Sequence, residues 1–310
     1  MTRTAILVLG FNRPKHLSRC LTNVSKANIM FKNDLHIQID GPRNSSEKIA
    51  VEQCYEIAMK FENESTEKVF VSKNTSNQGL AKSVIQGVNR IFEKYQNVIV
   101  IEDDLLISSN GINYFQSALE IYEKETKVGS ICGYSPFQLN ENQNSYFINR
   151  SDCWGWATWR DRWLNVEWDG TVLEKKIKKL QREKEFNYFG TFPFLSMLQE
   201  SNRGLIDSWA IKWQASQFLD GLLSLYPSPS MIANLGHDNS GTHSRKSSDY
   251  KTTLDSSTNY QLKKITVEIN ANGTNQWMGF YSYITRETIF KKCVNVLIKI
   301  RNLIKQNIFN

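Results

Sequence analysis

Residues 97–108, "NVIVIEDDLLIS", lead from a turn-prone Asn97 through Val98, Ile99, Val100 and Ile101 straight into three carboxylates, Glu102, Asp103 and Asp104. An unbroken β-branched run of this kind reads as a strand covered on both faces, the pattern of a parallel sheet. Charge is unfavourable in such a place unless it is paired or binds a cation, so the carboxylates are expected at the strand's exit.

Working outward, "TAILVLGFNRP" (4–14), "DLHIQIDGP" (34–42) and "EKVFVSKN" (67–74) are three more short apolar runs, each ending in Asn, Asp or Gly. Residues 15–27, 46–63 and 79–95 between them carry helical spacing. The alternation predicts an α/β fold: a mostly parallel central sheet flanked by helices, with right-handed crossovers and ligands at the carboxyl ends of the strands. Arg13, Asp40, Asn77 and the 102–104 carboxylates fall on that edge. A further strand is expected within 127–136, after which the chain turns irregular and tryptophan-rich. The first turn, "LGFNRP", lacks GxGxxG, and no GxxxxGK[ST] occurs, which removes the dinucleotide and P-loop classes.

At 310 residues, 40% hydrophobic and 22% charged, the chain can bury a large core in one or two domains. Five cysteines without a CxxC argue against a disulfide framework and a cysteine zinc site, and suit a reducing cytoplasm. The first apolar run is too short for a signal peptide, and no segment reaches the roughly 18 apolar residues of a membrane span, so a cytoplasmic protein is expected. The net charge is +7, and most of it lies in 286–310, where Arg286, Lys291, Lys292, Lys299, Arg301 and Lys305 face Glu287 alone. The body is nearly neutral and carries no nucleic-acid motif, so no nucleic-acid partner is expected. Phe290, Val294, Leu297, Ile300, Ile304 and Ile308 recur at three- and four-residue steps and predict a basic amphipathic helical tail. It either packs on the domain or lies on an anionic membrane, and the local charge excess favours a peripheral position on the inner face of the plasma membrane. The run 174–185 reads as a solvated helix.

With Asn12-Arg13 after the first strand, Asp40 after the second and Glu102-Asp103-Asp104 after the fourth, the chain resembles the nucleotide-sugar glycosyltransferases of the GT-A (Rossmann-like) fold. The likeness is greatest to the N-acetylglucosaminyltransferase I group and its bacterial polysaccharide-assembling relatives. It covers residues 1–245, a nucleotide-sugar half over about 1–110 and an acceptor half over 111–245; a C-terminal extension (246–285) and the tail helix (286–310) follow. The resemblance implies donor contacts by Asn12, Arg13 and Asp40. It also implies that Asp104 ligates Mn²⁺ or Mg²⁺ with Glu102 in support, and that Asp103 contacts the ribose or a metal-bound water. The chemistry agrees: a leaving sugar diphosphate is an anion whose growing charge a hard cation stabilises, and one or two carboxylates suffice to hold that cation. The alternative is that the three acids cap the next helix. Asp40 in "IDGP" is also good turn chemistry.

Three further stretches carry candidates. In "RSDCWGWATWRDRW" (150–163), Gly155-Trp156 matches a donor-site segment of the family, against core packing; Trp159 and Trp163 are four apart and predict one helix. In "GLIDSWAIKWQASQF" (204–218), Ile206-Asp207-Ser208-Trp209 matches the family's Trp-Asp-Asp-Trp segment with the first acid kept, so Asp207 inherits the role of catalytic base, against an N-cap. "NLGHDNSGTH" (234–243) resembles a loop that closes over the diphosphate; His237 is assigned to the donor and His243 to the metal, and their spacing excludes a zinc site.

The leading function is a metal-dependent, inverting transfer from a nucleotide sugar, a UDP-sugar by preference, to a glycan or lipid-linked glycan in bacterial surface polysaccharide assembly. A sugar nucleotidyltransferase and a non-catalytic nucleotide-sugar-binding scaffold are the alternatives. The first would be expected to carry a glycine- and lysine/arginine-rich phosphate loop after strand one.

Overall fold

The computed structural model describes residues 4–66, 68–139, 144–236, 249–258 and 260–287. The elements run β1 (Thr4–Gly10), α1 (Pro14–Asn28), β2 (Asp34–Ile39), α2 (Lys48–Glu64), β3 (Val69–Lys73), α3 (Leu80–Phe92) and β4 (Asn97–Glu102). Then come β5 (Leu105–Ile107), α4 (Gly111–Ile121), β6 (Val128–Cys132), β7 (Ser145–Ile148), β8 (Trp156–Trp159) and α5 (Arg160–Leu164). α6 (Gly170–Lys179), α7 (Glu183–Phe186), α8 (Phe194–Asn202), α9 (Trp209–Leu219), β9 (Leu223–Pro227) and β10 (Ile232–Asn234) follow, with a last helix over 271–287.

Among the described residues one sheet of eight strands has the order β3-β2-β1-β4-β8-β6-β9-β7. The first four pair in parallel, β6 and β9 run the same way, and β8 and β7 are antiparallel to their neighbours. This is the expected α/β architecture, a mostly parallel sheet between helical layers. Alternate residues of β1 feed opposite faces: Ile6 and Val8 meet Leu17 and Leu21 of α1, whereas Leu7 and Leu9 belong to a second core with Val84 and Val88 of α3. Covered on both sides, β1 is buried throughout, which is why it reads as a continuous apolar run.

The tryptophan-rich stretch differs from expectation. Trp159 closes strand β8 and donates its indole N–H to the Leu119 carbonyl (3.1 Å), while Trp163 lies on α5 and joins the opposite core. A strand-to-helix corner, with Trp159 as the N-cap of α5, replaces the single helix that the four-residue spacing implied. Trp156 sits fully buried with Trp163, Trp209 and Trp213, ring centroids 5.6, 5.2 and 4.0 Å away. This cluster welds α5 and α9 to the sheet. Trp156→Ala is expected to lower unfolding free energy by about 3–5 kcal/mol, the usual range for emptying a large aromatic site, read as a lower urea midpoint with an unchanged m-value.

Residues 249–287 pack on the same core. The Trp277 indole N–H donates to the Tyr146 hydroxyl of β7 (3.1 Å), and the Arg150 guanidinium lies 4.3 Å from the Trp277 ring and 5.1 Å from that of Tyr281. Among the described residues no helix is long and apolar enough to cross a membrane. The basic amphipathic run 289–308 lies outside the described residues.

Candidate active site at the carboxyl edge of the sheet

The turn after β1 is Phe11-Asn12-Arg13, closed by Pro14, whose fixed φ starts α1. Arg13 does not reach into solvent: it turns across to the exit of β4 and pairs with Asp103 and with Asp104, the latter at 2.9 Å. Asp103 is anchored further by its N–H to the Leu9 carbonyl (2.9 Å) and by the Phe11 N–H on its carboxylate (3.4 Å). Burial pushes the Asp103 carboxyl up to about 6, with Arg13 opposing the rise. Glu102, on the same edge, is pushed up to about 8 by burial first and then by the charges of Asp104 and Asp103. Glu102 therefore sits beside the pair as a carboxyl whose charged form is disfavoured by burial and by its acidic neighbours.

One strand over, the Asp40 carboxylate is saturated. It accepts from Gly41 N (2.9 Å), Asn74 Nδ2 (3.0 Å), Asn77 Nδ2 (2.9 Å) and Gln78 N (3.0 Å and 3.1 Å), which together use the lone-pair capacity of both oxygens. Asp40 thereby clamps the loop after β3 against the turn after β2. Asn74 and Asn77 make this clamp, and their signal was the Asn-rich stretch "KNTSNQG". Asn12 is likewise turned inward, donating to Glu47 (3.4 Å), which also holds the Arg43 guanidinium. Arg43 lies 5.1 Å over the ring of Phe11, so Phe11 and Arg43, neither singled out by sequence, wall this end of the edge.

The clamped loop leads to Asp207. Gly79, at φ +79°, opens α3, and the Asp207 carboxylate accepts the Ala81 N–H at 3.3 Å across 126 residues of sequence. A Cβ on Gly79 would stand 2.8 Å from Asp207 Oδ2, so the approach requires glycine. The capping of α9 falls instead to Ser208, which accepts from Ile211 N at 3.5 Å. Asp207 is exposed, and among the described residues its Oδ1 takes no hydrogen bond. A chain of contacts thus joins the acids along one rim: Asp103 to Leu9, Asp40 N–H to the Gly10 carbonyl (2.9 Å), Asp40 to Gln78, and the start of α3 to Asp207.

Gly155 and Trp156 leave the site. Trp156 has no exposed ring face to offer a sugar. Gly155 adopts φ +65°, and a Cβ there would meet Ile232 of β10 at 2.6 Å, which is a packing requirement. Asp152 pairs with Arg150 (2.9 Å) and accepts the Trp154 N–H (2.9 Å). β10 pairs with β5 and is followed by Leu235, whose N–H reaches the Asp104 carbonyl (2.9 Å), so the loop beginning at Asn234 starts from the acidic turn. His237 and His243 lie outside the described residues.

Asp103 and Asp104 supply hard oxygen donors, and the Asp104 carboxylate occupies space that a Cβ on Gly236 would fill at 2.1 Å, a cradle beside the strand exit. Among the described residues no group of three or more Asp, Glu, His or Cys converges as a metal cage. Among the described residues the donor set, Asp103 and Asp104, fits a Mg²⁺ or Mn²⁺ that takes remaining ligands from phosphate and water.

No protein-family model matches the chain, and no curated protein does. Among solved structures, TarS of S. aureus in complex with UDP-GlcNAc is similar at 14% identity and a TM-score of 0.33, over 46% of this chain and 36% of that one. A UDP-glucose pyrophosphorylase complexed with UDP-glucose gives 10%, 0.39, 76% and 94%. The inositol-1-phosphate CTP transferase of T. maritima gives 12%, 0.34, 54% and 75%. The match to a longer TarS structure spans only 22% of it. The site's own residues carry the functional reading.

Proposed function

We propose that this protein is a metal-dependent, inverting glycosyltransferase that moves a sugar from a nucleotide sugar, a UDP-sugar by preference, to a hydroxyl of a glycan or lipid-linked glycan in bacterial surface polysaccharide assembly. The observation that carries the reading is the continuous rim of contacts that sets Arg13, Asp103, Asp104 and Asp207 on one sheet edge, where α/β folds bind ligands. Asp104 and Asp103 would hold Mn²⁺ or Mg²⁺, which when bound supplies positive charge to the departing diphosphate. Asp207 takes the proton of the acceptor hydroxyl through its unoccupied oxygen. The acceptor oxygen forms the new bond to the anomeric carbon, while the bond to the diphosphate breaks and its electron pair leaves with the phosphate. A direct displacement of this kind inverts the configuration. Arg13 neutralises the acidic pair and keeps two carboxylates side by side near the departing anion.

The turn after β1 argues against a nucleotidyltransferase, since Arg13, its cation, is engaged by carboxylates rather than left free for a triphosphate. The test is a panel of UDP-, GDP- and CMP-sugars titrated calorimetrically with Mn²⁺, followed by product analysis. Binding of a UDP-sugar and release of UDP on transfer support the reading. Release of pyrophosphate from a nucleoside triphosphate and a sugar phosphate would replace it with the nucleotidyltransferase, and binding without turnover would leave a scaffold.

A further inference from the structure

Beside Asp207 a cleft of about 340 Å³ opens between the starts of α3 and α9, at the lower end of the ~300–1,000 Å³ typical of small-molecule sites. Its walls include Ile85, Trp168, Ser201, Asp207 and Lys212. Trp168 is half-buried and packs edge-on against Trp163, centroids 4.9 Å apart. Among the described residues its indole N–H makes no hydrogen bond. Such a ring, fixed from behind and open in front, is a surface for the apolar face of a sugar, and its N–H is a donor for a hydroxyl.

Lys212 gives the cleft its selectivity. It is half-buried on the first turn of α9, and among the described residues its ammonium makes no hydrogen bond or ion pair. Asp169, the nearby acid whose charge Lys212 influences, caps α6 through its Oδ1, which accepts from Thr171 N (2.8 Å) and Val172 N (3.3 Å), and among the described residues it forms no ion pair with Lys212. Asp207 and Lys212 therefore line one cleft with opposite charges that do not pair. An ammonium with unused donors on a cleft wall is placed to make charge-assisted hydrogen bonds to an anion.

Resting on the reading of Asp207 as the base, we infer that this cleft is the acceptor subsite and selects a sugar bearing an anionic substituent, phosphate or carboxylate. Lys212 meets the anion, Trp168 carries the ring, and the attacked hydroxyl faces Asp207.

The experiment measures binding of glucose, glucose 6-phosphate and glucuronate to the full chain in the presence of UDP and Mn²⁺, by calorimetry or saturation-transfer NMR. The expected result is at least about tenfold tighter binding of one or both anionic sugars than of glucose, falling as salt rises; which of the two gains identifies phosphate or carboxylate as the source. Lys212→Gln should abolish that preference, Lys212→Arg should keep it, and Trp168→Ala should weaken all three sugars alike. Equal binding of charged and neutral sugars, or a preference that survives Lys212→Gln, overturns the inference. Asp207→Asn separates the two claims: if it keeps both the anionic preference and turnover, the base assignment fails while the anion site stands. If it loses turnover and wild type shows no preference, the inference alone fails.

Discussion

Asp207→Asn is expected to lower turnover by roughly 10² to 10⁴-fold while nucleotide-sugar and Mn²⁺ binding stay within error of wild type. The size is that of removing a general base. The geometry explains why binding should survive. The amide oxygen can still accept the Ala81 N–H and hold the start of α3, but the other position becomes an NH₂ group with no lone pair for a proton. Steady-state kinetics, calorimetry and a thermal melt on the same preparation read the three quantities together. Near-normal turnover would make Asp207 a cap of α3 and nothing more. The product's anomeric configuration, read by NMR, is an independent check, because a displacement assisted by one base must invert.

Asp104→Ala is expected to lower transfer by roughly 10² to 10³-fold, in line with loss of one element of charge stabilisation at the leaving group. EDTA should do the same to wild type, and added Mn²⁺ or Mg²⁺ should restore it. A readout that does not depend on turnover is the strengthening of UDP binding by Mn²⁺, which should be present in wild type and absent in Asp104→Ala. Full activity in EDTA would leave the Arg13 pairing with Asp103 and Asp104 as the sole use of those acids.

The first half of the fold is legible in sequence because β1, β2 and β4 are local and covered on both faces, so their runs of Val, Ile and Leu are unambiguous, while β3, at the sheet edge with Phe70 exposed, is marked by its short Val-Phe-Val alternation alone. The second half is harder. A tryptophan in a Gly-Trp dipeptide has the same local signature whether it faces a sugar or three other indoles, and Trp156 faces indoles. Arg13, Asp40 and Asp207 were visible in sequence as candidates, but their partners did not show. Arg13 meets Asp103 across 90 residues and Asp207 meets Ala81 across 126, and such pairings leave no periodic trace. Asp40 illustrates a subtler limit: its place after β2 was plain, yet only the folded loop shows that Asn74 and Asn77 donate to its carboxylate.

Trp277 and Tyr281 lie late in the chain but close the core beneath β7, with Arg150 held over both rings. During synthesis the strands β3-β2-β1-β4 are all available once residue 102 has left the ribosome, whereas β7 and Arg150 stay uncovered until 277–281 emerge. The acidic edge can therefore assemble on a nascent chain well before the half that carries Asp207 is sealed. In that interval the uncovered aromatic surface is the segment most exposed to misassociation and to chaperone capture.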